Sequence, residues 1–186
     1  MRMPSRDDWV ATGLDALAAA GEGAIRVDPL AARLGVTKGS FHHHFRGAAD
    51  LRRAVLAAHE LAQLELVERV RDDVAGLDAS AALDRLGDLI GRLPDDRLER
   101  AVRSWAAIDA DAEGVQARVD AARLTAIEAL WLQVVPPQHA RTAALVPLLA
   151  MIGASASSVA TRADLDAVLR MLAGLARHVP AVIREW

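Results

Sequence analysis

Three consecutive histidines are the residues of this chain with the most evident chemical potential. His42, His43 and His44 lie in the segment GVTKGSFHHHF, residues 35–45, and the whole chain has six histidines. Imidazole can ligate a metal, transfer protons or bind phosphate and bases. Adjacent side chains on a helix point about 100° apart, so three in a row cannot converge on one ion, whereas side chains four residues apart can. The spacing therefore disfavours a metal site, and we expect no metal.

Catalysis has little support in the rest of the sequence. There is no cysteine, which excludes disulfides, thiolate zinc sites, iron–sulfur clusters and cysteine nucleophiles. The nucleophile-elbow, zinc-protease, phosphate-loop and dinucleotide-binding motifs do not occur in it. Nor does it contain the Glu-x-x-His pair that builds carboxylate metal sites in helical bundles. We therefore predict that the protein is not an enzyme and uses no cofactor.

The distribution of charge favours a polyanionic partner for the N-terminal third. The net charge of the 186 residues is −3, but residues 1–56 carry +2 and the remainder carries −5. Basic segments are typical of surfaces that bind nucleic acid. The first residues lack the apolar core of a signal peptide, and no later stretch of about 18 residues is apolar without a charge or a helix breaker. We expect a soluble, cytoplasmic protein that does not contact a membrane.

Apolar periodicity predicts an all-α chain. Apolar side chains recur at intervals of three and four residues, and the alternation typical of strands is absent. Helices are predicted over residues 10–20, 28–34, 37–45, 48–74, 79–93, 96–110, 112–135, 137–159 and 164–178. Predicted breaks are Gly21, Gly35, Gly76, Pro94, Gly114 or its neighbours, Pro136–Pro137 and Pro180, and Pro147 is expected to kink its helix unless two helices meet there.

The first three of these helices have the plan of a helix-turn-helix motif with a bracing helix. Asp28 is expected to cap the second helix, with Pro29 in its first helical position, and Gly35 allows the tight turn. In such a motif the helix after the turn enters the DNA major groove, and its N-terminal residues meet base edges. Its groove-facing side carries polar side chains and one glycine that permits close backbone approach: Lys38, Gly39, Ser40, His42 and His43.

The segment VDPLAARLGVTKGSFHHHFRGAADL, residues 27–51, resembles the helix-turn-helix of the TetR (tetracycline repressor) family of transcriptional regulators. The match extends over residues 9–55. It implies a DNA-binding domain, residues 1–50, followed by a helical domain, residues 51–186, that binds an effector and forms a dimer. The residues that would contact DNA are Thr37, Lys38, Gly39, Ser40, His42, His43 and Arg46.

Two positions depart from the pattern of that family. His42 stands where the family has a tyrosine, and Ala48 stands where it has a lysine that binds phosphate. Arg46, Arg52 and Arg53 are the alternatives for the phosphate contact.

The C-terminal two-thirds resembles the family in architecture and in a looser pattern of residues. The last two long helices, near 138–159 and 164–178, are expected to pair with those of a second subunit in a four-helix bundle, although their apolar stripes could instead complete a monomeric core. Four large apolar residues are predicted to line an effector pocket, with a role in the core as the alternative: Trp105, Ile108, Trp131 and Met151.

These observations predict a sequence-specific DNA-binding transcriptional regulator. We expect a homodimeric repressor that a small-molecule effector releases from a palindromic double-stranded operator. Two alternatives stay open at this stage. One is a helical ligand sensor with weakened or lost DNA binding, which the residues at 42 and 48 favour. The other is a structural, nucleoid-type DNA binder with little sequence preference.

Overall fold

The computed structural model describes residues 3–77, 81–82, 85 and 97–176. Among these residues every regular element is helical, so the predicted all-α class is confirmed. The elements are α1 (Arg6–Ala20), a 3₁₀ turn (Glu22–Ala24), α2 (Val27–Leu34), α3 (Lys38–Phe41), α4 (Ala48–Val74), α5 (Arg97–Ala106), α6 (Ala110–Trp131), α7 (Pro137–Ala156) and α8 (Arg162–Ala176).

The helices form two compact units. The first unit takes its described residues from 1–63 and 95–119, and the second from 64–94 and 120–186. The helices α4 and α6 therefore each contribute to both units. The domain boundary predicted at residue 50 stays a prediction.

A complete capping box starts α1. Ser5 is the N-cap, and its hydroxyl accepts a hydrogen bond from the Asp8 backbone N–H at 3.2 Å. The Asp8 carboxylate accepts one from the Ser5 backbone N–H at 2.6 Å. Two N–H groups that have no partner within the helix are thus satisfied. The helix begins at Arg6, four residues before the predicted start, because of this local signal.

The core of the first unit joins α1, α2, α3, α4 and α5. The large apolar side chains of this core cluster that are at most 1% exposed come from these five helices and from the loop before α2: Trp9, Leu17, Ile25, Leu30, Phe41, Leu51, Val55 and Val102. Ala112, at the start of α6, is also fully buried in the cluster. Within this unit α1 packs against α2 and α5, and α2 packs against α3. The predicted helix-turn-helix with a bracing helix is therefore present.

The helix α1 lies close to α4 at Gly13. A Cβ atom built on Gly13 would lie 2.7 Å from Cγ2 of Val55, a side chain with no exposed surface. Because unbonded carbon atoms pack best at about 3.5–4.0 Å, any larger residue at this position would push the two helices apart. Glycine is therefore required here for packing, within a helix whose backbone is regular.

The second unit has its own core, to which α6, α7 and α8 contribute most. Buried side chains come from each of these helices: Leu124, Ile127, Trp131, Ala140, Ala144, Leu148, Leu169 and Ala173. Among the described helices, α7 alone is long and apolar enough to cross a membrane by length and composition. It packs against α8 and contributes buried side chains to this core.

Several predicted helix boundaries need correction. The prediction that Asp28 caps α2 is wrong, because α2 begins at Val27 and the N-cap is Arg26, without a side-chain hydrogen bond. The predicted break near Gly114 is also wrong. The break lies at residues 107–109, where the Asp109 carboxylate accepts a hydrogen bond from the Ala112 N–H at 3.0 Å. A single internal glycine costs a helix only about 1 kcal/mol, so α6 runs through it.

Other predicted boundaries agree with the structure or lie outside the described residues. Gly21 and Gly35 end α1 and α2 with φ angles of 76° and 67°. A single helix, α7, contains Pro147. The helix predicted at 79–93 lies largely outside the described residues, as do Pro94, Pro180 and the last two residues of the predicted 164–178 helix.

Candidate nucleic-acid interface

The turn between α2 and α3 is made by Gly35. Its left-handed conformation, φ 67° and ψ 31°, is one that residues with a Cβ rarely adopt. Its N–H donates to the Ala32 carbonyl at 3.2 Å, and the Val36 N–H donates to the Ala31 carbonyl at 3.0 Å. These two bonds close the C-terminus of α2 and direct the chain into α3.

The α3 helix is short, but its turn pattern continues beyond it. Thr37 is the N-cap, although its side chain makes no capping hydrogen bond. After Phe41 the N–H groups of His44 and Phe45 both donate to the Phe41 carbonyl, at 2.9 and 3.0 Å. Helical and turn hydrogen bonds therefore follow one another without a gap through residues 37–45. This segment can present side chains as a short recognition helix does.

Aromatic rings fix this segment to α1. The Phe41 ring lies 5.4 Å from the Trp9 ring in an edge-to-face arrangement and 5.3 Å from the stacked Phe45 ring. The Arg6 guanidinium lies 4.8 Å above the Phe45 ring. Buried aromatic pairs contribute about 0.5–1.5 kcal/mol beyond the area they bury. This aromatic cluster explains how four residues of helix can keep a defined orientation.

Most of the predicted DNA-contacting residues lie on the surface of the first unit. The exposed ones are Thr37, Lys38, Gly39, His42, His43 and Arg46. Ser40 differs from them, because it is only 5% exposed and its hydroxyl oxygen is buried. The groove-facing position predicted for Ser40 is therefore wrong: in α3 it shares the inward side with Phe41.

An ion pair joins α2 to α3 across the turn. The Lys38 ammonium nitrogen lies 3.2 Å from Oδ1 and 3.4 Å from Oδ2 of Asp28. Both side chains are well exposed, at 62% and 72%. This pair is not predictable from the sequence, because a separation of ten residues is not a spacing within one helix. Only the crossing of α2 and α3 brings the two charges together.

The arginines that could replace the lysine missing at position 48 have different surroundings. Arg52 is bound to Glu22 by an ion pair of 2.9 Å that ties α4 to the 3₁₀ turn. Arg46 and Arg53 are exposed, and neither has an ion pair with another described residue. These two cations are therefore available to an external anion.

Polar contacts also join α4, α5 and α6 within the first unit. The Arg118 guanidinium donates two hydrogen bonds to the Glu60 carboxylate, one of them at 2.9 Å. These bonds, together with the positive charge of Arg118, hold the pKa of Glu60 below its ordinary value. On α5, Glu99 pairs with Arg103 at 2.8 Å and accepts a hydrogen bond from Gln116 of α6 at 3.2 Å.

The four residues of the predicted effector pocket are divided between the units. Trp105 is 2% exposed in the core of the first unit, and Ile108 is 75% exposed. Trp131 is buried in the core of the second unit, where Met151 packs against the same cluster. The structure thus places Trp131 and Met151 in one cluster, and the pocket itself stays a prediction.

A groove between α1 and α2 in the first unit has a volume of about 170 Å³. Its walls are four alanines, Pro29 and Leu30, with Arg26 and Arg33 beside them. Sites for drug-sized ligands usually measure about 300–1,000 Å³, so this groove is small by comparison. None of the predicted effector-pocket residues lines it.

Apolar side chains lie exposed on the two last helices of the second unit. Those that are 37–59% exposed are Val146, Leu149, Val168, Met171 and Leu175. They are spaced at three and four residues along α7 and α8, so each helix has an exposed stripe besides its core face. The predicted dimer stripes are therefore divided, because Leu148 and Leu169 lie in the core.

The histidines do not form part of a metal site in the described residues. No three His, Asp or Glu side chains there are grouped so that they could hold an ion.

Comparisons with known proteins show which solved structures share this architecture. No protein-family model matches the sequence, and no curated protein matches it. Solved structures do match the fold. A transcriptional regulator from Rhodococcus sp. Rha1 has a TM-score of 0.69 at 24% identity, over 92% of this chain and 95% of that chain.

Two further solved structures have similar scores. A protein assigned to the TetR family of transcriptional regulators, from Rhodococcus sp., has a TM-score of 0.72 at 18% identity, covering 92% of this chain and 97% of that one. A transcriptional regulator from Saccharomonospora viridis, solved in complex with choline, has a TM-score of 0.68 at 18% identity, covering 89% and 93%. The chain therefore has the fold of TetR-family regulators.

Proposed function

We propose that this protein is a TetR-like, sequence-specific transcriptional regulator that binds double-stranded DNA through the exposed face of α3 and the turn after it. The observation that carries the proposal is the exposed polar set around Lys38, His42 and His43, held on a helix-turn-helix by the aromatic cluster beneath it. The family fold over nine-tenths of the chain supports the same function.

Each exposed residue suits a particular contact. Lys38, at the first position of α3, can reach a phosphate or a guanine edge, and His42 and His43 can hydrogen-bond to bases or phosphate. Thr37 and Gly39 allow the start of α3 to approach the DNA backbone. Arg46 and Arg53 can supply the phosphate contact that Ala48 cannot make. Ser40 supports the helix from inside the unit, since its hydroxyl is buried.

We infer that the active form is a homodimer. The exposed stripes of α7 and α8 would be covered by the same stripes of a second copy, because scattered apolar side chains are ordinary on a surface but aligned ones usually mark an interface. A two-fold axis would place two α3 helices about 34–36 Å apart, on successive major-groove faces of a palindromic operator.

The second unit would bind a small-molecule effector. A regulator of the same fold is solved with choline, and a compound of unknown identity would take the corresponding role here. An effector that favours a different spacing of the two α3 helices lowers DNA affinity by its differential binding to the two states, commonly about 1–3 kcal/mol. We propose that Trp131 and Met151 belong to this site, and that the protein acts as a cytoplasmic repressor.

The test of this function is the replacement of Lys38 by alanine. Binding to a labelled duplex from the region upstream of the gene is measured by fluorescence anisotropy between 50 and 250 mM salt. The slope of log Kobs against log salt should become less steep by about 1 per subunit, since one phosphate contact is lost. Arg69→Ala, on the second unit, is the control and should leave the slope unchanged.

Two results would contradict the proposal. An unchanged salt slope for Lys38→Ala would remove Lys38 from the interface. A wild-type protein that binds no duplex even at low salt would favour the alternative function, a helical ligand sensor that has lost DNA binding.

A further inference from the structure

We propose that Asp28 limits DNA affinity by holding the Lys38 ammonium group and competing with phosphate for it. This inference rests on the proposed function. Asp28 would be a positioning residue, because it acts on DNA through Lys38. Its position before Pro29 predicts a helix cap, a role that it does not have in the structure.

The geometry of the pair supports this role. Both oxygens of the Asp28 carboxylate lie within 3.4 Å of the Lys38 ammonium nitrogen. Lys38 is the first residue of α3, which is where a recognition helix meets DNA, and Asp28 lies in the first turn of α2. An acidic side chain in the first turn interacts favourably with the helix dipole. This interaction would keep the carboxylate near the N-terminus of α2 when the lysine moves to DNA.

The electrostatic consequence follows from the exposure of the two groups. Because the side chains are 62% and 72% exposed, their mutual attraction is weak and phosphate can replace the carboxylate. The carboxylate would then lie near the DNA backbone and repel it. Loss of Asp28 should therefore strengthen binding to a duplex of any sequence, and the gain should depend on Lys38.

The experiment compares Asp28→Asn with the wild type on two probes. They are a fluorescein-labelled 30-base-pair duplex of random sequence and the upstream duplex described above. At about 0.1 M salt we expect Asp28→Asn to lower Kd about threefold to tenfold on both probes, since a dimer contains two such pairs. The salt slope should become steeper, because no carboxylate then remains near the phosphate to retain a counterion. Asp28→Glu keeps the charge and should resemble the wild type.

Two controls separate this mechanism from a change in net charge. Asp15→Asn makes the same charge change at an exposed position of α1 and should alter Kd less than twofold. In a Lys38→Met background, the gain from Asp28→Asn should shrink to the size of the Asp15→Asn effect.

Each contrary outcome has a definite meaning. An equal gain in the wild-type and Lys38→Met backgrounds would overturn the proposal, because Asp28 would then act as a general negative charge. An unchanged Kd for Asp28→Asn would overturn it as well. If neither the wild type nor Asp28→Asn bound any duplex at 50 mM salt, the proposed function would fail together with this inference. Binding by Asp28→Asn alone would contradict the proposed function of the wild type, although it would support the restraint of Lys38 by Asp28.

Discussion

Replacement of Gly13 by alanine tests the packing of the helix that braces the candidate DNA-binding segment. The new Cβ would lie 2.7 Å from Cγ2 of Val55, about 1 Å closer than a comfortable carbon contact. Val55 cannot move aside easily, because it is fully buried and a β-branched side chain in a helix has one strongly preferred rotamer. The helices α1 and α4 must therefore separate.

Two opposing effects set the magnitude. Overpacking of this kind costs about 1–3 kcal/mol, and a rigid neighbour favours the upper half of that range. Alanine recovers about 1 kcal/mol through its higher helix propensity. We therefore expect a net loss of about 1–2 kcal/mol in the free energy of unfolding, or roughly 2–8 °C in Tm for a chain of this size.

The assay is thermal unfolding followed by circular dichroism, in a double-mutant cycle with Val55→Ala. Removing the Val55 methyl groups leaves room for the new Cβ. In that background Gly13→Ala should raise stability by about 1 kcal/mol, the value expected from propensity alone. The effect of Gly13→Ala on the free energy of unfolding should thus change from a loss to a gain when Val55 is replaced by alanine. A higher Tm for Gly13→Ala in the wild-type background would refute the reasoning.

Two further predictions concern the Glu60–Arg118 pair and the exposed stripes. The lowered pKa of Glu60 means that its ion pair stabilises the protein above pH 4.5, the ordinary value, and is lost as pH falls through the folded pKa. The Tm of Glu60→Gln should therefore lie below that of the wild type at pH 7, and the difference should vanish toward pH 3, whereas a constant difference would contradict this. Leu149→Glu should convert the proposed homodimer to a monomer at about 10 µM in light scattering, since one charge enters the α7 stripe of each subunit. Leu61→Glu, at an equally exposed position of α4, should leave it a dimer.

Local signals account for most of the helix boundaries that could be predicted. Gly21 and Gly35 adopt positive φ angles, which glycine permits at little cost, and each ends a helix at the predicted residue. The prediction of α4 over residues 48–74 was correct at both ends. The boundary near Gly114 was predicted wrongly, because a glycine inside a helix is only a weak break and the aspartate before it is a stronger start signal.

The candidate interface was predictable in outline but not in orientation. A segment of small, basic and aromatic residues after a glycine turn predicts a short helix that could recognise DNA, and the structure has a short helix there. Which side of so short a helix faces solvent depends on the rings beneath it. Because Phe41 packs on Trp9, Ser40 turns inward, while Lys38 and His42 stay exposed.

The sequence by itself determined the helical class, the order of the described helices and the position of the helix-turn-helix, because periodicity and helix-ending residues act over distances of a few residues along the chain. Tertiary structure alone decided the contacts between residues far apart in sequence. The pairing of Asp28 with Lys38, the close approach of Gly13 to Val55, and the placement of Trp105 and Trp131 in separate cores all depend on how helices cross. Helix crossing is set by the packing of whole faces, which no local pattern specifies.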